Sequence, residues 1–86
     1  MTHWRRTIRI KQHLDPDKPL PEVRDAIVAV LRNDRAYLNK HGGGDMDFMD
    51  LVDEMAEAPT VQDFDLCLSA LYDWADANLV WIDGAA

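Results

Sequence analysis

Residues 60–83, TVQDFDLCLSALYDWADANLVWID, decide the fold. Pro59 has no N–H to donate and turns Ala58 away from helical geometry, so any preceding helix stops here. Thr60 is then an N-cap. Its hydroxyl is placed to accept the Asp63 N–H while the Asp63 carboxylate reaches back, a capping box with Asp in place of Glu. Val61, Phe64, Leu68, Leu71 and Ala75 recur at steps of three and four, which puts them on one helical face. Cys67 and Trp74 widen that face to the breadth of a core helix. Asn78 predicts the stop, through its tolerance of left-handed backbone. The spacing predicts a helix over 61–77. Leu79, Val80, Trp81 and Ile82 come next as a short strand over 79–82, apolar on both faces and in need of cover on both.

Such a unit cannot fold alone, and the rest of the chain supplies its cover. In residues 4–12, Trp4, Ile8 and Ile10 alternate with Arg5, Thr7, Arg9 and Lys11, the period of a half-buried strand. Arg6 and Gln12 interrupt the apolar parity. This strand is expected to pair with 79–82, in a direction that the sequence leaves open. A two-stranded sheet has open outer edges, so Arg5, Thr7, Arg9 and Lys11 are candidates for edge pairing with a second copy, giving a homodimer. Residues 15–21 (DPDKPLP) form a rigid turn and linker, and Pro21 suits a helix start. A helix is predicted over 21–38, burying Val23, Ala26, Ile27, Val30, Leu31, Tyr37 and Leu38, with Asp34 breaking the stripe. Gly42, Gly43 and Gly44 end it. A shorter helix over 45–58 comes after them, with Phe48, Leu51, Val52, Met55 and Ala56 inward. The expected architecture is α+β: one domain over 1–86, a three-helix cluster with its terminal strands paired, in the order β-α-α-α-β.

Length and composition narrow the function. Eighty-six residues, 48% of them hydrophobic, suffice for one small core. No run is long enough to span a bilayer, and residues 1–12 lack the apolar segment of a secretory signal. A single cysteine excludes an internal disulfide and fits a reducing cytoplasm. The net charge of −7 is unevenly spread. Residues 1–24 carry six Lys and Arg against three acids, whereas every charged residue from 42 onward is acidic. Nucleic acid is therefore a poor partner, since most of the surface would repel phosphate.

Motifs for chemistry are missing. The glycine run lacks the Gly-Lys-Ser/Thr of a phosphate loop. Asp45, Asp47 and Asp50 approach a calcium loop, but Asp50 stands at the sixth position, where an EF-hand needs glycine. His3, His13 and His41 have no ligand spacing, and Ser69 lies in mid-helix. No enzyme, cofactor or metal site is expected. The candidate interaction surface is instead acidic and sulfur-rich: Asp47, Asp50, Glu54 and Glu57, with Met46, Met49 and Tyr72 displaced from the apolar stripes.

The opening THWRRTIRIKQHL, the closing Phe64-Asp65, Leu71-Tyr72-Asp73-Trp74-Ala75-Asp76 and Val80-Trp81-Ile82 together resemble small actinobacteriophage (mycobacteriophage-type) accessory proteins. The likeness covers the first and last quarters of the chain. The family carries no activity, so no functional residue is transferred. The resemblance implies a protein made in host cytoplasm that acts by binding a host protein. Two readings are open. One is a non-catalytic protein-binding module. The other is a regulator at a nucleic-acid-binding site, acting as an acidic DNA mimic or through the basic N-terminal strand.

Overall fold

The computed structural model describes residues 7–34, 45–78 and 80–84, with the backbone alone described for 45–47. The order is β1 (Thr7–Arg9), a 3-10 turn (Lys11–His13), α1 (Leu20–Asn33), α2 (Asp45–Ala56), α3 (Val61–Ala77) and β2 (Trp81–Asp83). Among the described residues, three helices thus lie between two short strands, as the patterning predicts. The strands pair in parallel, with Thr7 opposite Trp81, Ile8 opposite Ile82 and Arg9 opposite Asp83. Parallel neighbours require a long crossover, which the three helices provide.

The sheet is buried on one side only. Ile8 and Ile82 form its inward rung, whereas Thr7 and Trp81 face out, Trp81 at 43% exposure. Within the chain Val80 and Ile82 of the closing segment are therefore covered and Trp81 is not. β1 also ends at Arg9, short of the predicted 12, and its predicted start at 4 lies outside the described residues. The backbone leaves extended geometry at Ile10 (φ −116°, ψ −13°) and enters the 3-10 turn. That turn carries Gln12 out to solvent and keeps Ile10 buried, which resolves the broken parity. The first donors of a helical turn have no partner within it. Here the Asp83 carboxylate accepts both, from the Ile10 N–H and from the Lys11 N–H, the latter at 2.8 Å.

α1 ends at Asn33, short of the predicted 38. Asp34 caps it, its N–H bonding back to the carbonyls of Val30 and Leu31, and its side chain is buried. Val23, Ile27 and Leu31 make the buried stripe as expected, but the stripe is rotated so that Val28 is buried and Val30 half-buried. Tyr37, Leu38 and the glycine run lie outside the described residues. α2 ends at Ala56, two residues before 58, and tightens through Glu57 N–H to Glu54 and Ala58 N–H to Met55. Arg24 of α1 donates to the Ala58 carbonyl at 2.8 Å and so ties α1 to the turn after α2.

α3 keeps its predicted bounds. Thr60 Oγ1 accepts the Asp63 N–H at 3.1 Å and donates to the Asp63 carboxylate at 3.0 Å. Phe64, Leu68, Leu71, Trp74 and Ala75 are buried, and the Trp74 ring meets Phe48 of α2 at 5.0 Å between centroids. Val61 departs from its predicted place on that face: it is 60% exposed. Asn78 stops the helix by another route than the one expected. Its φ is −108°, not left-handed, and its side-chain amide donates to the Trp74 carbonyl at 2.8 Å. The Val80 N–H satisfies the Ala75 carbonyl.

Past β2, Gly84 adopts φ +105°, and a Cβ there would lie 2.9 Å from Leu14 Cδ1 and 3.6 Å from the Ile10 side chain. The position therefore needs glycine for both backbone and space. Two substitutions test this junction. Gly84→Ala should lower stability by at least about 1 kcal/mol. Asp83→Ala should cost about 1–2 kcal/mol through loss of the two capped N–H groups. Both are read as a lower urea midpoint at unchanged slope, and a wild-type midpoint for Asp83→Ala would remove the carboxylate from that role.

Candidate interaction surfaces

Every charged residue between 45 and 78 is acidic. Asp50 and Glu54 of α2, with Glu57 in the turn directly after it, keep the i, i+4, i+7 spacing of one helical face, and all three are exposed. Asp53 is exposed too and meets Arg32 of α1 at 3.4 Å, an ion pair open to water and hence worth little. The side chains of Met46 and Asp47 lie outside the described residues. Met49 is half-buried beside Arg32, Phe48, Val52 and Asp53, around a crevice of about 20 Å³ with room for no more than a water.

Tyr72 sits elsewhere. It is half-buried against the core, with its hydroxyl 3.5 Å from where a Gly84 Cβ would be. Burial, then the carboxylates of Asp83 and Asp65, push its phenol above the usual value. It therefore belongs with the sheet end of α3 and not with Asp50, Glu54 and Glu57. On β1, Thr7 and Arg9 are exposed, but Lys11 lies in the 3-10 turn and offers no strand rung. Arg5 lies outside the described residues.

Two features were not legible in the periodicity. Leu66 stands on the polar side of α3, out of phase with Phe64, Leu68 and Leu71, and is 64% exposed; that phase mismatch was the available signal. The second is a groove of about 340 Å³ between the α1 entrance and the start of α3. Leu14, Leu20, Val61 and Phe64 line it, with Asp15, Lys18 and Asp65 also at its walls. Nothing in the helical pattern marks this groove, because Val61 satisfies the core spacing yet lies beyond the reach of the core.

Among the described residues, no three or more His, Cys, Asp or Glu side chains are arranged to hold a metal ion. No helix there is long and apolar enough to cross a membrane. Comparison with protein-family models, curated proteins and solved structures gives no match.

Cys67 reports on the acidic environment. Burial, then Glu54 and Asp63, raise its thiol above the ordinary 9.0. A thiolate is the reactive form, so disulfide exchange with Ellman's reagent at pH 8 should be slower in the folded chain than in urea. An equal or faster folded rate would contradict this placement. The sign for stability is then set: the folded state holds the Cys67 and Tyr72 protons more tightly, so their contribution is present at lower pH and lost as pH rises past the raised values. The urea midpoint should therefore fall above about pH 9.

Proposed function

We propose that the protein is a non-catalytic protein-binding module whose α2 face engages a basic partner protein. The observation that carries this reading is the exposed row Asp50, Glu54 and Glu57 within a two-helix region devoid of cations. Such a surface raises the encounter rate with a positively charged partner and rejects acidic ones. The resemblance of residues 2–14, 64–65, 71–76 and 80–82 to actinobacteriophage proteins makes the reading specific: an accessory protein acting on a host protein in the bacterial cytoplasm. A DNA-mimicking regulator is the variant of this reading in which the partner is itself a DNA-binding protein. Homodimerisation through β1 has less support, since β1 ends at Arg9 and Lys11 lies outside it, in the 3-10 turn.

Reversal of the three charges, Asp50→Lys with Glu54→Lys and Glu57→Lys, tests the proposal. All three positions are exposed, so the fold should survive. Tagged wild-type protein should retain a specific partner from actinobacterial lysate, and the triple variant should lose it. Equal retention by both would refute the α2 face as the binding surface. Displacement of the retained partner by free duplex DNA would identify the mimic variant.

A further inference from the structure

We propose that the groove between the α1 entrance and the start of α3 is a second docking site, and that it takes a short peptide segment carrying one bulky apolar side chain with Arg or Lys immediately after it. The inference rests on the protein-binding reading but not on the α2 face.

The floor is apolar and partly open. Of the residues that line it, Phe64 is buried, Leu14 and Leu20 are half-buried, and Val61 is 60% exposed. Val61 occupies the first position of α3, where the Thr60–Asp63 cap already secures the helix end. An apolar side chain is not needed there for capping, and it contributes little to the core. Its exposed surface is continuous with the lining of the groove. A volume of about 340 Å³ lies at the lower end of ligand-pocket sizes, enough for one large side chain and its backbone.

The charges at the walls select the residue next to the apolar anchor. Asp15 and Asp65 both line the groove. Among the described residues the cation there is Lys18, which lies 3.8 Å from Glu22 and is countered by it, with both side chains more than half exposed. The net field at the mouth is therefore negative. An anchor with Arg or Lys beside it gains charge complementarity there, and an anchor with Glu or Asp beside it is repelled.

The test is selection of a displayed random peptide library on the immobilised full chain, with fluorescence anisotropy of the enriched peptides. The expected motif is Trp, Phe, Leu or Met with Arg or Lys in the next two positions. Val61→Glu, which places an acid favourably at a helix start, should weaken those peptides at least tenfold. Leu66→Glu and the α2 triple charge reversal should change their affinity less than twofold. Titration of the wild-type chain with an enriched peptide should shift the backbone amide resonances of Leu14, Leu20 and Phe64, a readout that needs no variant. Failure to enrich any peptide overturns the proposal, as does enrichment of apolar peptides with no basic preference. Loss of binding in the triple variant with none in Val61→Glu would overturn the groove and leave the α2 reading standing.

Discussion

The carboxylate of Asp83 accepts the N–H groups of Ile10 and Lys11, and the rest of the structure depends on that junction. It joins residues more than seventy positions apart and fixes two things together. The parallel register, Ile8 opposite Ile82, brings Asp83 opposite Arg9, one step short of the donors. The 3-10 turn that starts at Lys11 then directs Leu14 under Gly84 and brings the linker onto the entrance of α1. Backbone donors inside a protein are costly to leave unmet, so a side chain that meets two of them at the meeting of strand, turn and sheet constrains all three.

A chain of this size has little stability to spare. Its core is assembled from small contributions by every element: Ile8 and Ile10 from the first strand and turn, Val23, Ile27 and Leu31 from α1, Phe48, Val52 and Met55 from α2, Phe64, Leu68 and Leu71 from α3, and Val80 with Ile82 from the end. No two elements could bury enough apolar area by themselves. Arg24 on the Ala58 carbonyl ties two of the pieces together, and Thr60 with Asp63 and Asn78 on Trp74 fix the two ends of α3. The Trp74 indole N–H is buried and finds no acceptor among the described residues. That cost is borne where Trp74 packs on Phe48, so apolar contact dominates at the centre and hydrogen bonds at the periphery.

The elements and their order were legible because local rules and tertiary packing agree for α3: cap, stripe and stop all lie within residues 58–78. The boundaries that shifted are those set by distant partners. β1 stops at Arg9 because Asp83 draws Ile10 and Lys11 into a turn, and no local signal at Gln12 encodes that. α1 stops at Asn33, with Asp34 inside the core surface where a broken stripe alone would suggest a bend. Strand direction depends on the path of the whole crossover, which no window of sequence contains. For the candidate surfaces, the acidic row Asp50, Glu54 and Glu57 was legible from helical spacing. Tyr72 was not, since its displacement from the α3 stripe reflects packing under Gly84 and not exposure. The groove at Val61 is invisible to periodicity, which marks the face a residue is on and not how far the core extends along that face.

The distribution of charge then has a structural reason. With the strand ends clasped and α1 covering one side of the core, α2 and α3 are left to present an acidic surface, and burial, then the nearby Glu54 and Asp63, raise the Cys67 thiol within it. If Asp83 organises the fold, the clasp between β1, the 3-10 turn and β2 opens only when the whole domain unfolds. Native-state amide hydrogen exchange measures this most directly. The amides of Ile10 and Ile82 should share the opening free energy and denaturant dependence of Ile27 and Leu71. Exchange of Ile10 and Ile82 through a low-energy local opening, while Ile27 and Leu71 stay protected, would contradict it.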